Sequence, residues 1–238
     1  VESSEEDALL SRTREWFEDP EQVTLYAHQS ADGLTPLETE LLSHLSDRPR
    51  TILDLGCGAG RLSIALALRG HRVIGTDVST PLIEAARASA AHAGADAATF
   101  ALTVGVDLPA PDHSFDLVLS VKHYCYIPGR DLRQELLRRI ARALHPDGRL
   151  LLISHVVPSP DDAAAELSAD PAHRAAARDF PGLEPLDTFA DGRGYVHWFT
   201  RESLRDELDA FGEIEHVVES PDGFLIGLIL RPTMPRRR

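Results

Sequence analysis

The sequence predicts an α/β domain built on a largely parallel sheet with helices on both faces. Three observations lead there. Short runs that are apolar along their whole length alternate with amphipathic helical stretches, turn residues separate them, and a glycine-rich turn joins the first run to a helix. At 238 residues the chain can bury one sizeable core. The simplest division is an N-terminal helical cover over residues 1–50 and a main domain over 51–238, with 156–199 inserted as a lid or substrate segment.

The elements follow in order. Ser4 and Asp7 form a capping-box-like start to a helix carrying Leu9, Leu10, Thr13, Trp16 and Phe17, expected to end near Asp19-Pro20. Thr35-Pro36-Leu37-Glu38 opens a second helix ahead of Leu41, Leu42 and Leu45. Both are too short to fold alone and must pack on the domain. Thr51-Ile52-Leu53 reads as the first strand, and Arg72 to Thr76 as the second, ending at Asp77. A helix opens at Thr80-Pro81 and closes near Gly94. Strands are expected at 100–104, 116–121 and 149–154, with a helix over 131–144 and a turn at Pro146-Asp147-Gly148. Thr200 caps a helix to about Phe211, and 214–219 and 224–230 form a closing hairpin around Pro221-Asp222-Gly223. The segment 156–199 is rich in Pro, Asp, Ala and Arg and has weak apolar periodicity. Long segments of this kind inside a domain are commonly lids or binding loops.

Composition narrows the partners. A formal net charge of −14 disfavours nucleic acid, whose binding requires neutralising phosphates. Arg138, Arg139 and Arg142 read as a solvated helix face. No apolar run approaches the ~18 residues of a membrane helix, so no membrane partner is expected. The acidic start is unlike a signal peptide. Two cysteines, Cys57 and Cys125, do not make a disulfide framework, and a cytoplasmic location is expected. A small-molecule substrate fits best, with a homodimer left open. No His, Cys and carboxylate grouping has metal-ligand spacing, so no metal is expected.

The chemistry starts at Asp54-Leu55-Gly56-Cys57-Gly58-Ala59-Gly60, followed by the helical pattern Leu62, Ile64, Ala65, Leu66, Leu68. Glycines let a backbone turn sharply and approach a ligand where a β-carbon would collide, and a helix start offers free N–H groups. Asp77, roughly 20 residues on, stands where a carboxylate can accept ribose hydroxyls. A nicotinamide dinucleotide would bring its pyrophosphate into the turn, where Asp54 repels it. Asp54 suits a cationic ligand better, although the nicotinamide reading stays open.

Segment 51–60 resembles the first motif of class I S-adenosylmethionine (SAM) methyltransferases, in which an acid precedes a G-x-G-x-G turn. Leu108 to Val118 looks like that family's fourth-strand lead-in, and Leu144 to Leu150 like its turn into strand five. The resemblance covers 51–154 well and the last forty residues loosely. It implies a Rossmann-like three-layer sandwich, a seven-stranded mostly parallel sheet with an antiparallel last strand. It implies SAM as cofactor and S-adenosylhomocysteine (SAH) as product. The cofactor residues it implies are Asp54, Gly56, Cys57, Gly58 and Gly60 for the methionine end, with Asp77 and Val78 for the ribose. Ser120, Val121 and Tyr26 complete the set, Tyr26 closing over the sulfonium. One departure stands out: where many relatives carry an acid that reaches adenine, this chain has Val104. Adenine then rests on Val104, Gly105 and Val106, or Asp107 substitutes; alternatively Val104 is core.

Methyl transfer is an in-line displacement that asks the protein to align the reactants and exclude water. A proton-accepting group helps an alcohol, phenol or protonated amine, and His is the usual choice. His123, directly after the fourth strand, is the first candidate base and His197 the second. Tyr124, Tyr126, His155, Tyr195 and Trp198 are candidate substrate contacts, with ordinary packing as the alternative for each. The expected function is SAM-dependent methylation of an oxygen or nitrogen of a small molecule, such as a natural-product intermediate. Two rivals keep the fold: a non-methylating cyclisation or rearrangement, and a SAM-binding non-catalytic subunit.

Overall fold

Period-two alternation along the central strands decides how the layers assemble. The computed structural model describes residues 4–108, 111–159 and 170–233. Pro109 and Ala110 of the fourth-strand lead-in, and 160–169 of the predicted insertion, therefore lie outside the described residues. The strands are β1 (Thr51–Leu55), β2 (Arg72–Asp77), β3 (Ala98–Leu102), β4 (Phe115–Val121), β5 (Leu144–His155), β6 (Asp187–Ala190), β7 (Gly194–His197), β8 (Gly212–Glu219) and β9 (Leu225–Pro232). Seven of them form one sheet in the order β3-β2-β1-β4-β5-β9-β8. β9 runs antiparallel to both its neighbours, and every other pairing in that sheet is parallel. The predicted three-layer architecture is what the chain adopts.

The helices are α1 (Glu5–Glu18), α2 (Pro20–Gln29), α3 (Pro36–Ser43), α4 (Arg61–Ala67), α5 (Thr80–Ala93), α6 (Arg130–Ala143), α7 (Pro171–Ala177) and α8 (Arg201–Leu208). Leu53, Leu55, Val118, Leu150 and Leu152 point to one face, where they meet Leu136 and Ile140 of α6 and Leu204 and Leu208 of α8. Ile52, Leu117, Leu119, Leu151 and Ile153 point to the other, against Leu41 of α3, Ile64 of α4 and Ile83 of α5. Both faces are buried, which is why these strands read as continuous apolar runs.

Several boundaries depart from the sequence reading. Asp19 ends α1 and also caps α2, accepting from the Glu21 amide at 2.9 Å; the predicted stop at Asp19-Pro20 is thus a corner between two helices, with Pro20 at a first helical position. β3 lies two residues earlier than expected. β5 begins at Leu144, pairing with Phe115 before a register shift re-pairs Arg149 with Leu117, so the predicted turn at Pro146-Asp147-Gly148 is an irregularity within the strand. The insertion holds α7 and the hairpin β6-β7. These pack on α1 through Leu9, Ala176, Phe180, Phe189 and Tyr195. Among the described residues, no helix is long and apolar enough to cross a membrane.

Candidate active site

After β3 the chain returns to the other side of β1, so β1 and β4 leave a crevice between their carboxyl ends. A cavity of about 1100 Å³ occupies that position, floored by the loops after β1, β2 and β4 and roofed by α1 and α2. Its roof is the face of α1 that presents Asp7, Leu10, Ser11, Arg14, Phe17 and Glu18 at helical spacing, continued by Tyr26 of α2. Ser79 donates through Oγ to the Phe17 carbonyl at 3.1 Å, and Ser30 and Ser89 bond through their hydroxyls at 3.0 Å. The cover is thereby fixed to the domain.

The glycine loop passes close under two side chains. Gly56 has φ +64°, and a β-carbon there would lie 2.7 Å from His123 Cδ2. Gly58 has φ +55°, and its β-carbon would touch the Tyr26 ring at 3.4 Å. The Cys57 amide donates to the Thr76 carbonyl at 2.9 Å, tying the loop to β2. Asp77 is buried and accepts from the Gly58 and Ser79 amides, each at 2.9 Å. Burial raises its pKa while those amides pull the other way. A carboxylate has about four acceptor sites, so acceptor capacity remains on Asp77 for a hydroxyl in the cavity.

Asp54 is also buried and accepts from Ser63 Oγ at 2.6 Å. Burial pushes its pKa up to about 7, against the pull of the Ser63 hydrogen bond and the nearby Arg61 charge. Arg61 itself is held by Glu38, with Nη1 to Oε2 at 2.9 Å. At the far end Val104, Gly105 and Val106 line the cavity together. Val104 is 76% exposed, so the reading of it as core is corrected. Asp107 is engaged by Arg139 Nη1 at 2.5 Å.

An aromatic group closes the near end. Phe17 meets Tyr26 edge-on at 5.9 Å between centroids and Tyr126 edge-on at 5.0 Å. Burial and the Asp77 charge raise the Tyr26 pKa, keeping that hydroxyl neutral. His123 lines the cavity beside them, with Nδ1 at 3.3 Å from Ser120 Oγ. Desolvation lowers its pKa to about 4, so the ring is neutral at physiological pH. When Nδ1–H donates to Ser120, Nε2 keeps the lone pair that a base requires.

The structure brings together Asp54, Gly56, Cys57, Gly58, Asp77, Val78, Val104, Gly105, Val106, Val121, Tyr26, His123 and Tyr126 around this cavity. It places the other candidates elsewhere. Gly60 packs against Phe100, and Ser120 is fully buried beneath His123. Tyr124 is a core residue whose hydroxyl donates to Glu207 at 2.8 Å. Tyr195 is likewise buried, donating to Asp187 at 2.8 Å. His197 Nδ1 lies 2.7 Å from the same Asp187 oxygen. His155 and Trp198 pack edge-on at 5.7 Å outside the cavity lining. Hairpin geometry explains the shift: β6 and β7 pair Asp187 with His197, so their polar groups satisfy one another under the insertion. His197 is therefore not carried forward as a base, nor Tyr124 and Tyr195 as substrate contacts.

Sequence spacing did not show that Glu184, Asp187 and His197 converge, each offering a ligand atom within 4.8 Å of the others. Their oxygens are already engaged: Arg133 Nη2 donates to Glu184 at 2.7 Å and Tyr195 donates to Asp187. Sequence reasoning also missed Phe17 as a cavity residue. The α1 periodicity carried a signal for Phe17.

Residues 52–148 match the family model of a methyltransferase domain. That segment is similar to a methyltransferase domain. The chain is 34% identical over 107 residues to the uncharacterized methyltransferase YcgJ of Bacillus subtilis, covering 45% of this chain and 41% of YcgJ. It is 33% identical over 138 residues to nocamycin O-methyltransferase of Saccharothrix syringae, covering 56% and 48%. The chain thus spans about half the length of the curated relatives it matches. Among solved structures, a Burkholderia thailandensis 1,6-didemethyltoxoflavin-N1-methyltransferase with bound 1,6-didemethyltoxoflavin and SAH superposes with a TM-score of 0.65. That match has 21% identity over 98% of this chain and 92% of the other, a likeness of fold. The matched segment runs from β1 to the start of β5, while α1, α2 and the insertion, which roof and buttress the cavity, fall outside it.

Proposed function

We propose that this chain is a SAM-dependent methyltransferase acting on an oxygen or nitrogen of a small molecule. The observation that carries the reading is the cavity over the β1–β4 crevice, where a glycine loop, two buried carboxylates and an aromatic group converge. The residues fit the cofactor. Gly56 and Gly58 leave open space that β-carbons would fill. Asp77 keeps free lone pairs for ribose hydroxyls, and Asp54 favours a cationic amino-acid end. Val104 to Val106 offer an apolar surface to a base, and Phe17, Tyr26 and Tyr126 offer rings that attract a sulfonium. When bound, SAM supplies an electrophilic methyl: the acceptor lone pair forms the new bond to carbon as the carbon–sulfur bond breaks with its pair retained on sulfur.

The chain's own residues supply alignment, water exclusion and proton handling. α1 and α2 shield the cavity from solvent, the glycine loop holds the donor end, and neutral His123 stands ready to accept a proton from the acceptor. The O-methyltransferase and N-methyltransferase relatives agree with either acceptor atom. The acidic net charge favours a small molecule over nucleic acid.

Calorimetric titration of ligand-stripped protein with SAM, SAH and NADH tests the reading first. Binding of both sulfur compounds and not NADH is expected; absence of both would end it. Acceptor screening then follows SAH release, with His123→Ala as the test of the base. Tight SAM retention without SAH release under any acceptor would favour the cyclisation reading.

A further inference from the structure

Two buried carboxylates and three aromatic rings enclose one stretch of the cavity. Asp54 leads into the glycine loop from β1, and Asp77 holds the Gly58 amide from β2 at 2.9 Å. On the other side of the loop the Tyr26 ring rests on Gly58, where a β-carbon would meet it at 3.4 Å. Phe17 packs edge-on against both Tyr26 and Tyr126. The three rings are thus continuous, and all of them line the cavity.

The charges around this stretch favour a cation. Burial raises the pKa values of Asp54, Cys57 and Tyr26, and the Asp77 charge raises each of them further. The negative potential of Asp77 is therefore felt along the loop and on the ring above it. Little offsets it. Arg61 is matched by Glu38, and Arg12 is held by the Gly192 carbonyl against the Phe180 and Phe189 rings. Arg14 is exposed, and the charge of Lys122 falls on His155 and Cys125. His123, its pKa lowered to about 4 by burial, is neutral.

We infer that the cavity discriminates between donor and product by charge, binding the sulfonium of SAM more tightly than the neutral thioether of SAH, with Phe17 and Tyr126 as specificity-determining residues. The inference rests on the methyltransferase reading of the cavity and adds a direction to it: the site keeps its donor and lets go of the spent cofactor. In SAM the sulfur is bonded both to the ribose-bearing carbon and to the amino-acid chain. With the ribose hydroxyls at Asp77 and the ammonium at Asp54, that sulfur has to cross the glycine loop beneath Tyr26 and beside Phe17. A desolvated cation against an aromatic ring gains about tenfold in affinity. When the carbon–sulfur bond breaks with its pair retained on sulfur, the cation is gone, and the attraction to the rings and to the carboxylates is lost in the same step.

The test is calorimetry on ligand-stripped protein with three ligands that share their adenosine and amino-acid ends: SAM, SAH and sinefungin, whose protonated amine puts a cation where SAM carries its methylsulfonium. Wild type should bind SAM and sinefungin about tenfold more tightly than SAH. Phe17→Leu and Tyr126→Leu keep apolar bulk and lose the ring. With their folding checked by thermal unfolding, each should weaken SAM and sinefungin about threefold to tenfold and leave SAH within about twofold. Tyr26→Phe, which keeps its ring, should retain the wild-type order. SAH binding as tightly as SAM, sinefungin ranking with SAH, or an undiminished SAM preference in both leucine variants would overturn the inference and leave the cofactor reading standing. Failure of all three ligands to bind defeats the cofactor reading, and the inference falls with it.

Discussion

Arg133 and Glu207 form a bidentate pair inside the molecule, with Nε to Oε2 at 2.9 Å and Nη2 to Oε1 at 2.6 Å, and they are 1% and 5% exposed. The pair fixes the turn after His123 from two sides. Glu207 accepts from the Tyr124 hydroxyl, and Arg133 Nη1 donates to the Ile127 carbonyl at 3.2 Å. Arg133 also reaches Glu184 of the insertion, so one guanidinium joins α6, α8 and the segment before β6. Removing one partner strands a buried charge. Glu207→Ala should lower stability by about 3–5 kcal/mol in urea unfolding. Tyr124→Phe, which removes one hydrogen bond to the carboxylate, should cost about 1–2 kcal/mol.

Gly56 has no room for a side chain. Gly56→Ala places a methyl 2.7 Å from His123 Cδ2 at φ +64°, and the left-handed conformation alone costs roughly 1–2 kcal/mol. Thermal unfolding should show a destabilisation of about that size or somewhat more. SAH affinity should fall as well, because the loop and His123 cannot both keep their places. Unchanged affinity would show that the loop does not contact the ligand.

In the proposed function Asp54 should make ligand binding depend on pH. Its folded pKa of about 7 stands above the ordinary value of 3.8. Proton uptake by this group therefore favours the fold below pH 7, and its contribution to stability declines as pH rises from about 4 to 7. A cationic ligand end favours the ionised form, so affinity should move the opposite way. SAH should bind more tightly as pH rises through 7 and level off above it. Below that point the loss approaches about tenfold per pH unit. Calorimetry from pH 5.5 to 8 would read the slope, and Asp54→Asn should flatten it.

Asp77 holds the Gly58 and Ser79 amides, and in the proposed function its remaining acceptor capacity receives the ribose hydroxyls. Asp77→Ala should weaken SAM binding by about 1.5–3 kcal/mol. Asp77→Asn, which keeps an acceptor oxygen, should fall between. SAM affinity equal to wild type in Asp77→Ala would remove its assigned role.

The strands of the central sheet were legible because burial on both faces writes itself as unbroken apolar runs, and the capping boxes at Ser4 and Thr35 fixed two helix starts. α2 was not, since it has no fully buried residue and hence little apolar stripe to read. The floor of the cavity was legible in Asp54 to Gly60 and Asp77, whose spacing is set by one strand-turn-helix unit. Of the roof, the helical cover and Tyr26 were expected, whereas Phe17 was not, because its place depends on which face of α1 meets the cavity. Arg133 did leave a trace. It stands in register with Leu136, Leu137 and Ile140 on the apolar face of α6, where an arginine needs a buried acid; Glu207, 74 positions later, could not be named from sequence.

The cover helix has a consequence for how the molecule comes together. Gly182 donates to Glu5 across 177 positions, Arg12 donates to the Gly192 carbonyl across 180, and Arg193 donates to Asp19 across 174. The strands that floor the cavity lie between these partners and pair over far shorter separations. On a ribosome the sheet from β1 to β5 can therefore begin to order while α1 still lacks its hairpin. The cover can dock early through Ser79 and Ser89, and its contacts with residues 182–193 are the last of its bonds to form.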